Sequence, residues 1–193
     1  RLIVRRGRPA GELARLMAET GASAIFAEED YSVYARRRDN DIAAALPLNL
    51  AGSVAIRPPG LVLKGDGTPY TVFTPFSRAW LAVGPLSPGN LQPAPGRLPD
   101  PGDIAGEPIP TASEASSDLF PSGEVEANRR LAKFIAERGP EYADDRHRMD
   151  VDGTSGLSPY LRFGMVSART AAVAARTAAP TKGLDVWLNE LIW

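Results

Sequence analysis

The fold is constrained most by an alternation near the start of the chain. Three short apolar runs, Leu2-Ile3-Val4, Ala24-Ile25-Phe26 and Val54-Ala55-Ile56, are separated by two stretches with helical spacing. The first stretch, Ala10 to Thr20, repeats apolar residues at Leu13, Leu16 and Met17. It stops at Gly21, the residue type that best adopts the left-handed turn closing a helix. After Glu28-Glu29-Asp30, the second stretch runs from Tyr31 to Leu46 and carries Arg36-Arg37-Arg38. Strand, helix, strand, helix, strand with short connections predicts a parallel sheet covered by helices. Three strands are few for such a layer, so further strands are expected before this segment.

From Pro58 the texture changes. Pro58-Pro59-Gly60 and Gly65-Asp66-Gly67 are turn signals. Tyr70-Thr71-Val72-Phe73-Thr74-Pro75-Phe76 is aromatic and suits a docking segment that leads into a short helix through Trp80. Leu81 to Gly123 is rich in Pro, Gly and small polar residues, as expected of a connection draped over a surface. Helical spacing resumes from Glu124 to Arg138, with Val125, Leu131, Phe134 and Ile135. It recurs in Ser158 to Phe163, Ser167 to Thr177 and Asp185 to Trp193. The predicted organisation is therefore an α/β remainder over 1–57, an interdomain connection over 58–123, and the opening of an all-helical domain over 124–193. Two Trp and a Glu on the last apolar helix suggest that the chain is an internal fragment of a longer protein.

Composition narrows the chemistry. The chain has 193 residues, 44% hydrophobic and 23% charged, enough for one sizeable core or two small ones. A net charge of -1 excludes an overall basic character but not a local basic surface. The absence of Cys excludes disulfides and thiolate metal sites, and the single His147 argues against an imidazole metal centre. No apolar run approaches the roughly 20 residues of a membrane span. The apolar core of the N-terminal segment is too short for a signal peptide. A cytoplasmic monomer without a metal or a membrane partner is the expectation.

Thr154-Ser155-Gly156-Leu157-Ser158-Pro159 is the stretch best suited to ligand chemistry. Ser158 followed by Pro159 fits a capped helix start. Such a start offers unpaired N–H groups and the positive end of the helix dipole, which suit a phosphate. Three hydroxyls and a glycine add donors and room. The same pattern also fits a plain capped helix. Tyr142 precedes it in a charged segment and suits either a ligand cover or a structural one. Arg146 is able to meet a phosphate, though a loop Arg more often meets water. On the last helix, Trp187, Glu190, Leu191 and Trp193 are expected to share a face. They would form either a core helix with a boundary Glu or a pocket wall that stacks a planar ring.

Taken in order, four segments resemble the DNA photolyase/cryptochrome family, most closely its bacterial class I cyclobutane pyrimidine dimer photolyases. They are Glu29-Asp30-Tyr31-Ser32-Val33-Tyr34-Ala35-Arg36, Pro69-Tyr70-Thr71-Val72-Phe73-Thr74-Pro75-Phe76, Thr154 through Gly164, and Trp187-Leu188-Asn189-Glu190-Leu191-Ile192-Trp193. The resemblance implies light-driven repair of pyrimidine dimers in DNA, with FAD held in the helical domain. It implies FAD-binding roles for Tyr142, Thr154, Ser155, Gly156, Leu157, Ser158 and Trp187. It implies that Glu190 hydrogen-bonds the dimer, that Trp193 stacks against it, and that Arg146 contacts DNA. An antenna chromophore, deazaflavin or folate, is a further implication. Members that use folate carry Asn-Glu where this chain has Tyr34-Ala35, so its identity stays open, as does its presence. The alternative within the same family is a cryptochrome-type blue-light receptor that binds FAD without repair. The fragment alone is expected to be inactive.

Overall fold

A computed structural model of the chain describes residues 2–109 and 119–193. Residues 110–118 of the expected connection lie outside the described residues. The chain divides into two compact units, one drawn from Arg1–Val54 and Pro93–Ala115, the other from Ala55–Gln92 and Ser116–Trp193.

The first unit is a small α/β layer. Helix α1 (Pro9–Thr20) opens on a proline and closes at Gly21, whose φ of 68° lets its N–H reach Met17 O. Strand β1 (Ile25–Ala27) follows, then α2 (Val33–Ala43) and β2 (Leu48–Leu50). Helix α2 begins later than periodicity suggests because Ser32 takes the cap position and accepts from Ala35 N. It ends before Pro47, where the N–H groups of Ala45 and Leu46 both close onto Ile42 O. The strands pair in parallel, with Ile25 opposite Leu48 and Ala27 opposite Leu50. Helix α1 packs against α2, and α2 against β2.

Two of the three expected strands are corrected. Leu2-Ile3-Val4 contributes only an antiparallel bridge from Val4 to Glu107. Val54-Ala55-Ile56 is not a strand; its Ile56 is buried in the second unit beside Trp80, Leu188 and Ile192. Its hydrophobicity serves side-chain burial rather than pairing. The strand partnering β1 is Leu48-Asn49-Leu50, a run too short and too polar to stand out by pattern.

The second unit is helical. It contains α3 (Phe73–Ala82), α4 (Glu124–Lys133), α5 (Tyr142–Asp145), α6 (Ser158–Arg162), α7 (Ala168–Thr177) and α8 (Lys182–Ile192). Ser167 and Thr181 cap α7 and α8 through their side chains. After α4 the chain widens by one residue per turn over Phe134–Arg138, with Gly139 N bonded to Phe134 O at 2.6 Å. Helix α3 is the short helix expected through Trp80, and it buries that residue at 4% exposure, so this part of 58–123 builds core.

Two apolar clusters hold this unit together. One gathers Leu131, Phe134, Tyr142, Leu157, Tyr160 and Trp187; the other gathers Ile56, Trp80, Ala172, Leu188 and Ile192. Phe134 and Leu157 are fully buried. Each such side chain stabilises the fold by about 1.5–3 kcal/mol relative to leaving it in water.

Candidate functional site

Helix α8 rests on α5, and glycines set how closely. A Cβ on Gly183 would lie 2.1 Å from Gly139 O and 2.3 Å from Pro140 O, so no side chain fits there. A Cβ on Gly153 would lie 2.6 Å from Asp145 Cβ, which brings the hydroxyl-bearing loop directly against α5. Arg138 Nη1 donates to Asp152 O at 3.1 Å and ties down the same loop.

This closeness brings three of the predicted site residues together. Arg146, just after α5, donates from Nη1 to Glu190 Oε1 at 2.5 Å. Its guanidinium carbon lies 5.4 Å from the Tyr142 ring centroid. The Tyr142 ring meets Phe134 edge-on at 5.7 Å, and Phe134 meets Trp187 at 4.8 Å. Burial pushes the Tyr142 phenol above its ordinary pKa, Arg146 opposes that rise, and Glu190 adds to it. The hydrogen bond to Glu190 raises the Arg146 guanidinium pKa further. Arg146, paired with Glu190, thus lies over a run of aromatic rings from Tyr142 through Phe134 to Trp187.

The hydroxyl loop lies beside them. Leu157 O accepts from Leu161 N at 2.9 Å, so Leu157 is the cap and Ser158 the first helical residue of α6. The expected Ser158 cap is therefore corrected by one position, and Pro159 follows at the second. Ser155 Oγ accepts weakly from Leu157 N at 3.4 Å. Thr154 and Ser158 are exposed, and neither hydroxyl has a hydrogen-bond partner among the described residues. Gly156 has a φ of 62°, the left-handed turn that favours glycine. Arg130 reaches this turn, its Nη1 lying 3.9 Å from where a Cβ on Gly156 would stand. Sequence reasoning missed Arg130; its spacing of four from Glu126 on α4 signals only the ion pair it also makes.

The expected common face of α8 is realised only in part: Trp187 and Leu191 both pack in the first cluster, whereas Glu190 and Trp193 do not join them there. Trp187 is 3% exposed inside the first cluster, whereas Glu190 is exposed and Trp193 is 67% exposed. Six residues turn a helix through about 600°, which puts Trp193 well round from Trp187. Trp193 packs instead against Phe73 at 5.6 Å and Phe76 at 5.5 Å. The pair Phe73 and Phe76 was also missed as a site feature, although its i, i+3 spacing was visible.

These residues fit a phosphate-bearing cofactor such as FAD on its phosphate side. Free hydroxyls at Thr154 and Ser158, the open turn at Gly156 and the nearby Arg130 form a suitable donor set. Leu157 and Trp187 are buried and offer a ligand no side-chain surface in this structure. Among the described residues no cluster of His, Cys, Asp or Glu is placed to hold a metal ion, and no helix is long and apolar enough to cross a membrane.

A sequence model of the family described as DNA photolyase matches residues 1–97. The chain is 32% identical over 203 residues to the deoxyribodipyrimidine photo-lyase of Streptomyces griseus, an alignment that covers 100% of this chain and 44% of that protein. It is 37% identical over 175 residues to a deoxyribodipyrimidine photo-lyase of Thermus thermophilus, covering 89% of this chain and 38% of that one. The crystal structure of a bacterial class III photolyase from Agrobacterium tumefaciens superposes with a TM-score of 0.77 at 25% identity, covering 100% of this chain and 43% of that one. The chain thus spans less than half the length of these relatives.

Proposed function

We propose, from the premise that the chain belongs to the DNA photolyase family, that it is part of a deoxyribodipyrimidine photo-lyase, an enzyme that repairs cyclobutane pyrimidine dimers in DNA under light. One observation carries this reading. Tyr142, Arg146 and Glu190 converge where α8 crosses α5, beside a loop with unpaired hydroxyls at Thr154 and Ser158. In this reading 124–193 opens the FAD-binding domain, 1–57 belongs to the α/β domain, and 58–123 joins them. FAD, when bound, supplies the light-driven electron.

The chain's own residues do the rest. Thr154, Ser155 and Ser158 donate to phosphate and ribityl oxygens, and Gly156 lets the backbone approach them. Arg130 offers a positive charge on the same side. Tyr142 edges the cofactor site, and Trp187 supports it from within the core by holding Phe134 against it. Arg146 meets the DNA backbone, and its release from Glu190 leaves that carboxylate free to accept from the flipped dimer. Trp193, in edge-to-face contact with Phe73 and Phe76, stacks on the dimer. Tyr34-Ala35 leaves a deazaflavin or folate antenna open, and the full-length protein acts as a cytoplasmic monomer on dimer-containing DNA.

The test is Glu190→Ala in the full-length protein. Repair per absorbed photon should fall more than affinity for damaged DNA, because the carboxylate's hydrogen bond matters most once charge appears on the dimer. Unchanged repair yield would remove Glu190 from the site.

A further inference from the structure

Helix α3 carries Phe73 and Phe76 three residues apart, so they stand on one face. One turn further along that face, Trp80 is buried against Leu188 and Ile192 of α8. The face therefore runs from a rigid anchor at Trp80 to an aromatic edge at Phe73 and Phe76. At that edge Trp193 meets Phe73 at 5.6 Å with planes at 85°, and Phe76 at 5.5 Å with planes at 65°. Both are edge-to-face contacts within the range where aromatic quadrupoles attract. Tyr70 backs Phe76 at 6.0 Å. Both contacts fall on the indole of Trp193, the residue that follows the last turn of α8.

We propose that Phe73 and Phe76 are positioning residues for Trp193: their edge-to-face contacts grip its indole and so hold it in the orientation that stacks on a flipped lesion. This rests on the photolyase reading of Trp193. It assigns work to the Tyr70–Phe76 segment, which neither the cofactor loop nor the Arg146–Glu190 pair uses. Without the grip, the tryptophan samples several rotamers, and each lesion bound must first select one.

The experiment uses the full-length, FAD-loaded protein. Affinities for a dimer-containing duplex and for the same undamaged duplex are measured for Phe73→Leu/Phe76→Leu, in the native background and in Trp193→Ala. Phe73→Tyr/Phe76→Tyr, which keeps both ring edges, serves as the conservative variant, and flavin content reports folding. The leucine pair should weaken damaged-DNA binding roughly three- to tenfold in the native background, the range expected from losing one or two ring contacts. It should cause no further loss in Trp193→Ala, should leave undamaged-DNA binding unchanged, and the tyrosine pair should bind like the native protein. Equal losses in both backgrounds, or a matching loss for undamaged DNA, would mean a structural role and overturn the proposal. So would native affinity of the leucine pair where Trp193→Ala alone binds damaged DNA weakly. If Trp193→Ala binds damaged DNA as the native protein does, the assignment of Trp193 fails, and this inference fails with it.

Discussion

Arg146 and Glu190, 44 residues apart, are joined by a hydrogen bond of 2.5 Å that ties the end of α5 to α8. Their side chains are 26% and 47% exposed, so water and salt screen the pair. It organises the site more than it stabilises the fold. A double-mutant cycle on Arg146→Ala and Glu190→Ala, read by urea denaturation, should give a coupling of about 0.2–1 kcal/mol that shrinks at high salt. A coupling of several kcal/mol would mean that the pair is a structural clamp.

Acid should act through Glu126. Arg129 first, then Arg130, hold its carboxyl down from 4.5 to about 2 through hydrogen bonds. A carboxylate with a lowered folded-state pKa contributes stability above its unfolded value and loses it as pH falls through the folded value. The stability gap between the native protein and Glu126→Gln should therefore be constant above the ordinary carboxyl value of 4.5 and close toward pH of about 2. Urea midpoints at successive pH values check this, and a gap that persists at the acid end would contradict it.

The contact of α8 with the turn before α5 depends on Gly183. Gly183→Ala would set a methyl 2.1 Å from Gly139 O, against backbone that cannot rotate away. Destabilisation of about 1–3 kcal/mol or more is expected. Flavin content of the full-length protein should drop with it, because Tyr142 and Glu190 lose their mutual placement. Gly21→Ala, at a φ of 68° on an open surface, should cost strain without touching flavin content.

The hydroxyl loop divides by function. Thr154 and Ser158 make no internal hydrogen bond among the described residues, whereas Ser155 accepts from Leu157 N. Thr154→Ala/Ser158→Ala should leave thermal stability near native while weakening FAD binding, each hydroxyl contributing on the order of 1.5–3 kcal/mol if it meets a charged group. Ser155→Ala should lower both slightly. Native FAD affinity in the first variant would reduce these residues to loop surface.

Much of the helical unit was legible because its signals are local. Ser167 stands where a cap belongs, and apolar residues recur at helical spacing through Leu131, Phe134, Trp187 and Leu188, though α8 starts at Lys182 behind a Thr181 cap rather than at the expected Asp185. The sheet was less legible. Leu48-Asn49-Leu50 pairs with β1 through backbone, which leaves no mark on composition, while Val54-Ala55-Ile56 looked like a strand because Ile56 is buried. Of the candidate site, the resemblance pointed to Tyr142, Arg146, Thr154 and Glu190 one by one, but periodicity could not show that Arg146 reaches Glu190, since that contact depends on the close approach at Gly183. Nor could it separate Trp187, buried against Phe134, from Trp193, held by α3.

The central claim is tested most directly by incubating the full-length, FAD-reconstituted protein with DNA carrying cyclobutane pyrimidine dimers, in darkness and under blue light, and counting the dimers that remain. The account predicts loss of dimers only in light and only with FAD bound, with the yield per photon cut sharply by Glu190→Ala. Dimers that persist in light, while the bound flavin still changes its absorption, would contradict it and leave a blue-light receptor in its place.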